Sequence, residues 1–325
     1  MKQDSEIAAA PSRNPIGRFD PDRIASLQVN TSAVERRTGT LPARRSVKAA
    51  AQAAWLLRAI TMIDLTTLSG DDTPGRVRRL CAKARQPLRQ DLKDALGMKT
   101  VPITAGAVCV YHDMVPTAVA ALESSGMPVA AVSTGFPAGL SPLPLRIAEI
   151  RESVAAGAEE IDIVISRRHV LRGDWQQLYE EVCQFREACG PAHMKAILAT
   201  GELGSLRAVA RASHVAMMAG SDFIKTSTGK EPVNATLSVS LVMLRAIRDH
   251  HRITGYRVGY KPAGGISKAK DALTYLSLIK EELGDDWLTP ELFRFGASSL
   301  LGDIERQLEH HVTGAYSAAH RHPMG

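Results

Sequence analysis

Nothing in this 325-residue chain runs apolar for long enough to cross a bilayer. The longest apolar runs, such as Met127 to Val132, fall far short of the roughly 20 residues a membrane helix needs. The N-terminus carries Lys2, Asp4 and Glu6, and no apolar segment of the roughly 7–15 residues found in a secretory leader follows. Cysteine is equally sparse. Cys81, Cys109, Cys183 and Cys189 form no C-x-x-C pair, and four thiols in a chain this long make no disulfide framework, so reduced thiols in a cytosolic protein are expected. Neither G-x-G-x-x-G nor G-x-x-x-x-G-K-[ST] occurs, which argues against a dinucleotide fold or a nucleotide P-loop. Ten histidines are present, but no H-E-x-x-H or Cys/His cluster. A metal site is therefore not expected, nor any other cofactor.

What is there begins with charge. The net formal charge is +6, and residues 1–50 hold nine Lys/Arg against five Asp/Glu, so most of the excess lies at one end. That end is rich in turn formers (Pro11, Pro15, Pro21, Pro42) and lacks sustained periodicity. Residues 1–45 therefore read as a basic, flexible arm, a solvated or partner-packing extension rather than the basic stripe of a nucleic-acid-binding domain. A homo-oligomer stays open.

From residue 46 the pattern changes. Residues 46–58 read as a helix, with Ser46 as its cap and Val47, Ala50, Ala54 and Leu57 on one face. Short apolar strands then start near Ala59, Thr104, Val129, Glu159, His193, Ser221, Arg257 and Leu292. Each is followed by an amphipathic helical pattern: 73–84, 115–125, 143–156, 175–188, 206–219, 236–250, 268–283 and 300–310. Eight such units match a (β/α)8 TIM barrel in count and length, with a doubly wound sheet as the rival. The barrel spans residues 46–312 on this reading, and 313–325 form a tail.

Strand parity then gathers candidates. In Glu159-Glu160-Ile161-Asp162-Ile163-Val164-Ile165 the isoleucines share one face and Asp162 takes the other, pointing into the barrel. Lys195, Lys225 and Lys261 fall on inward faces of the next three strands, and Asp64 ends the first. All would converge near the C-terminal mouth, where active sites of this fold lie. Any single lysine would ordinarily be a structural ion pair or reach out to solvent. Three lysines against one or two carboxylates do not balance, and unbalanced buried cations depress one another's pKa. An ordinary lysine is neutral only about once in 2,500 molecules at pH 7, so such a pocket would make a nucleophilic amine. The chemistry implied is a Schiff base with a carbonyl, with Asp162 moving protons, in a carbon–carbon lyase that needs no metal.

Three turns at adjacent strand ends add a second requirement. They are Thr228-Gly229-Lys230, Ala263-Gly264-Gly265-Ile266 and Phe295-Gly296-Ala297-Ser298-Ser299-Leu300. Glycines let backbone N–H groups approach an anion, and Ser298-Ser299 would cap the helix that follows, whose N-terminus favours phosphate. A small phosphorylated substrate is expected.

Taken together, several segments resemble the deoxyribose-phosphate aldolase family. They are Asp64-Leu65-Thr66-Thr67-Leu68, Ala107-Val108-Cys109-Val110-Tyr111, Glu160-Ile161-Asp162-Ile163-Val164 and Lys195 to Leu203. They continue with Asp222 to Lys230, Gly259-Tyr260-Lys261-Pro262-Ala263-Gly264-Gly265 and Arg294 to Leu300. The match covers residues from about 58 to 305, and the long N-terminal arm with Gly70-Asp71-Asp72-Thr73 is similar to the longer, animal-type branch. The resemblance implies reversible cleavage of 2-deoxy-D-ribose 5-phosphate to acetaldehyde and D-glyceraldehyde 3-phosphate, in deoxyribose phosphate catabolism. It implies Lys225 as the Schiff-base nucleophile, Lys261 as the neighbour lowering its pKa, and Asp162 as the proton-transfer group. Lys195, Asp64, Thr66 and Cys109 match surrounding polar groups that hold substrate hydroxyls or a relay water. Gly229, Lys230, Gly264, Gly265, Ser298 and Ser299 match phosphate-binding positions. Some members end in a tyrosine that assists proton transfer. This chain departs from that pattern, reading Pro323-Met324-Gly325, and Tyr316 is its closest candidate for such a tyrosine. The alternatives are another Schiff-base aldolase, transaldolase-like or acting on sugar acids, and a nucleic-acid or stress-assembly partner working through the basic arm.

Overall fold

In the computed structural model, which describes residues 13–44 and 47–322, the apolar runs become eight strands. These are β1 (Ile63–Thr66), β2 (Ala107–Tyr111), β3 (Val129–Ser133), β4 (Glu160–Val164), β5 (His193–Ile197), β6 (Phe223–Lys225), β7 (Gly259–Lys261) and β8 (Phe295–Ala297). All pairings are parallel, in the order β7-β6-β5-β4-β3-β2-β1-β8. The bridges Tyr260↔Phe293 and Ala263↔Gly296 close the seam between the two end strands, giving the expected TIM barrel. The sheet faces two ways, as the alternation requires. Ile161 and Ile163 pack outward among the helices, while Asp162 and Val164 turn inward. Gly259 is small for a reason: a Cβ there would come within 2.4 Å of the Phe223 ring, which fills that level of the barrel.

The eight helical patterns of the barrel appear as helices within a few residues of the expected bounds, for example Trp175–Cys189, Leu206–Met218 and Ser299–Thr313. Two short helices, Gln90–Ala95 and Arg167–Arg172, were not expected. The first strand begins later than its sequence suggests. Ile60 and Thr61 still belong to the helix Ala49–Thr61, whose run of alanines and leucines carries it past the apolar residues that mimic a strand start. Ser46, the expected cap of that helix, lies outside the described residues.

The flexible-arm reading of residues 1–45 needs correcting over residues 13–44. Asn14 is buried, taking Asp222 Oδ1 with its backbone N–H (2.9 Å) and donating its side-chain amide to the carbonyls of Met217 (2.8 Å) and Ser221 (2.9 Å). Asp20 caps the helix Pro21–Ser26 through the N–H of Arg23. The helix Thr31–Arg44 buries Val34, Thr38 and Leu41, one i, i+4, i+7 stripe that the surrounding arginines mask in the sequence. Arg37 pairs with Glu281 (3.0 Å) and Glu282 (2.7 Å), so part of the basic excess is met by acids of the barrel. Residues 1–12 lie outside the described residues. No described helix is long and apolar enough to cross a membrane.

Candidate functional site

A cavity of about 470 Å³ opens at the C-terminal ends of the strands. Lys225, the last residue of β6, reaches it from below, and Thr66 lines it from β1. The opposite lining comes from the turns: Gly229 and Lys230 after β6, Gly264 and Gly265 after β7, and Ser298 and Ser299 after β8. Every residue expected to meet a phosphate is therefore in one cavity with Lys225. Gly264 and Gly265 sit at φ of +77° and +80°, left-handed backbone that a side chain would resist, and this bends the turn around the cavity. Ser298 makes no capping bond with its side chain, contrary to expectation, and the helix Ser299–Thr313 starts at the cavity wall.

Beneath the cavity the inward side chains are charged and buried. Asp162 of β4 is sealed from solvent, and its Oδ2 accepts from Lys225 Nζ and from Lys261 Nζ, both at 2.8 Å. Lys261 also pairs with Asp64 Oδ2 at 2.5 Å. Two further members were given no role by the sequence. Arg294, just before β8, donates Nη1 to Asp64 Oδ1 (2.6 Å) and Nη2 to Glu160 Oε1 (3.0 Å). Glu160 in turn accepts from Lys195, whose Nζ stands 3.3 Å from Asp162 Oδ1. Glu160 was legible by parity, two residues before Asp162 on the same strand face. Arg294 was quoted only as part of a motif, and its inward aim rests on the β8 pairing Asp64↔Gly296.

Electrostatics separates the three lysines. Burial pushes the Lys225 amine below the ordinary lysine range; Asp162 pulls it back up and the Lys261 ammonium pushes it down again. Lys261 goes the other way. Burial alone would lower it, but Asp162 and Asp64 together hold it above the usual range. Burial would raise both carboxyls, yet Lys225, Lys261 and Lys195 keep Asp162 well below its ordinary value, and Lys261 and Arg294 do the same for Asp64. Burial raises the thiol of Cys109. A buried amine held down, beside a carboxylate held ionised, is an arrangement for nucleophilic attack on a carbonyl with proton transfer close by.

The remaining expected residues are placed less uniformly. Cys109 pairs in register with Thr66 but is buried in an apolar group with Ala130, Val132, Phe136, Val164 and Ile197. Thr66 spends its hydroxyl proton on the Asp64 carbonyl (2.7 Å). Lys195 does not line the cavity. It pairs in register with Phe223, two residues below Lys225, and lies over that ring at 5.7 Å. Tyr316 is in solvent at 96% exposure, stacked at 5.1 Å on His310 in the last turn of Ser299–Thr313, the turn farthest from the cavity. Pro323, Met324 and Gly325 lie outside the described residues.

One neighbour bears on the end where a phosphate is expected. The buried Glu231 carboxylate accepts from the N–H of Thr228 (3.1 Å), the Thr228 hydroxyl (2.7 Å) and the N–H of Gly229 (3.2 Å). The Gly229 amide is thus held by an internal anion. Ser69 and Arg76 also line the cavity, Arg76 paired with Asp71 (3.0 Å) and Asp72 (3.2 Å).

Comparison with known proteins follows the same lines. The model of the DeoC/LacD family aldolases matches residues 58–304. The chain is 64% identical over 308 residues to a deoxyribose-phosphate aldolase of Mus musculus, covering 94% of this chain and 97% of that protein. Against a deoxyribose-phosphate aldolase of Homo sapiens the identity is 61%, with the same coverage. A solved deoxyribose phosphate aldolase from Aeropyrum pernix, described as a tetramer, shares the fold with a TM-score of 0.57 at 21% identity, covering 83% of this chain and all of that one.

Proposed function

The chain belongs to the DeoC/LacD family of aldolases, and from that premise we propose that it reversibly cleaves 2-deoxy-D-ribose 5-phosphate to acetaldehyde and D-glyceraldehyde 3-phosphate. The observation that carries this reading is the single cavity that has Lys225 at one end and the glycine and serine turns at the other. Lys195 and Lys261 are sealed beneath it, so of the three inward lysines Lys225 is the one that a carbonyl can reach.

The neutral Lys225 amine attacks C1 of the open-chain sugar, and the carbinolamine loses water to give an iminium. Asp162 carries the protons of these steps, a role its 2.8 Å contact with Nζ supports. Removal of the C3 hydroxyl proton then breaks the C2–C3 bond. Its electron pair moves to C2 as the enamine, and C3 leaves as the aldehyde of glyceraldehyde 3-phosphate. Protonation at C2 and hydrolysis of the iminium release acetaldehyde and restore Lys225. Lys261, an ammonium between two carboxylates, opposes a second positive charge on Lys225. Gly264, Gly265, Ser298, Ser299 and Lys230 are the groups for the phosphate. The four cysteines are free, which supports work in a reducing compartment such as the cytosol.

The test is trapping. Incubation with acetaldehyde and a hydride donor reduces the iminium to a stable N-ethyl amine, and peptide mapping locates it. The expected adduct is on Lys225 alone, and Lys225→Leu removes it together with all cleavage. An adduct on another lysine overturns the assignment.

A further inference from the structure

The buried charges form a closed circuit. Asp162 pairs with Lys261, Lys261 with Asp64, Asp64 with Arg294, Arg294 with Glu160, Glu160 with Lys195, and Lys195 with Asp162 again. Three carboxylates alternate with three cations, so the ring is balanced by itself. Lys225 is attached to it from outside, through Asp162.

We propose that Arg294 and Glu160 are positioning residues that close this ring, and that the balanced ring leaves Lys225 as the one cation in excess, which is why it is the lysine that gives up its proton. The proposal rests on the reading of Lys225 as nucleophile. Its logic is positional. Each ring cation stands between two ring carboxylates, so taking the proton from Lys261 or Lys195 would strip a partner from both. Taking it from Lys225 leaves every ring carboxylate with two cations. Arg294 cannot yield a proton at all, which makes it a fixed charge in the floor.

Other charged and titratable groups face these residues. The Cys109 thiol of β2 lies toward Lys225 and Lys261. Arg13 acts on Glu160 from the N-terminal segment, and His193 pairs with Glu160 in register. Glu159, His193 and Glu291 line a second cavity, of about 500 Å³, at the N-terminal ends of the strands, which Arg294 and Glu160 also line. Above Lys225, Lys230 and Arg76 line the main cavity, Arg76 with Asp71 and Asp72, and Glu231 underlies the first turn. None of these breaks the alternation of the six.

The ring predicts shifts of opposite sign, which a merely structural role does not. Arg294→Met leaves three carboxylates against two cations, so Lys225 holds its proton more tightly and the acid limb of kcat/KM moves alkaline by about one pH unit. Glu160→Gln leaves the ring one cation over, and the limb moves acid by about as much. The double variant restores neutrality and brings the limb back to the wild-type position. Shifts of the same sign in both single variants, or no shift in a folded variant, overturn the proposal. If a single variant fails to fold, the neutral pair of the double variant decides, since exchanging a whole ion pair is far milder than breaking one. A double-variant limb displaced by about one unit or more then overturns the proposal. Trapping in wild type is scored separately: an adduct away from Lys225 removes the nucleophile assignment, whatever the ring does.

Discussion

Lys225 and Lys261 bring their ammonium nitrogens to one oxygen, Oδ2 of Asp162, each at 2.8 Å. Two cations sharing one acceptor compete for it, and the competition is unequal. Lys261 has a second carboxylate, Asp64, at 2.5 Å, while Lys225 ends at the cavity. That inequality favours keeping the proton on Lys261 and supports the proposal that Lys225 is the lysine that gives its proton up.

Replacing Lys261 with leucine tests that inequality. The repulsion that lowers Lys225 disappears, and Asp162 and Asp64 lose the cation between them, so both changes raise the Lys225 pKa. The acid limb of kcat/KM should move to higher pH by at least about one unit, which costs about tenfold in activity at neutral pH. A pH–rate profile of the folded variant reads this directly. A limb that stays in place would sink the role given to Lys261.

Glu231 offers a second handle. Its carboxylate holds the amides of Thr228 and Gly229 at the end of the cavity proposed for phosphate, where an incoming phosphate would meet an anion already in residence. Glu231→Gln keeps an oxygen acceptor for the turn and removes the charge. Relief of about 1 kcal/mol of repulsion lowers KM for the phosphorylated sugar about fivefold. Inorganic phosphate should inhibit more tightly by a similar factor, and cleavage of unphosphorylated 2-deoxyribose should not change. Equal effects on both sugars would show that Glu231 orders the turn without opposing the phosphate.

How much of this was legible in the sequence depends on which physical signal each residue leaves. Strand parity is local, so it placed Asp162 and Lys261 on inward faces without any knowledge of the partners. The glycine turns at the cavity were legible because glycine at left-handed φ has few substitutes. Glu160 lay on the same inward face as Asp162 but was not weighed as a charge, and Arg294 precedes its strand. The imbalance of three lysines over one or two carboxylates was therefore overstated, since the described interior holds a balanced ring plus Lys225. Lys195 looked equivalent to the other lysines, yet the register sets it one level lower, at Phe223. Register between strands is a tertiary property that a single sequence does not print. The helix Thr31–Arg44 was missed for another reason: its stripe of Val34, Thr38 and Leu41 is narrow and flanked by arginines, so only the barrel it packs on makes it amphipathic.

Two buried histidines give the fold a predicted weakness in mild acid. Burial, with Arg23 adding repulsion, lowers His214 to about 3 and His250 to about 4. His214 Nδ1 meets Arg23 Nη2 at 3.0 Å, and His250 Nε2 lies 3.4 Å from Asn14 Oδ1, so both sit beneath the segment formed by residues 13–44. The unfolded chain takes up a proton on each near pH 6.5, whereas the folded chain refuses it until pH 4 or below. Their contribution is thus complete above pH 6.5 and is lost as pH falls toward 4. Each histidine costs about 1.4 kcal/mol per pH unit across that window, and the pair about twice as much. His112 works in the opposite direction, raised by its bond to Glu149, but it is half in solvent and counts for less. Asp64 and Asp162, held below the ordinary carboxylate range, add their own loss only beneath about pH 4. Urea unfolding followed by circular dichroism at steps from pH 7 to pH 4.5 should show this slope. His214→Gln, which keeps an acceptor for Arg23, should cut it by about half. A slope unchanged by that substitution would mean that His214 takes its proton in the folded state, and that the contact with Arg23 gives way first.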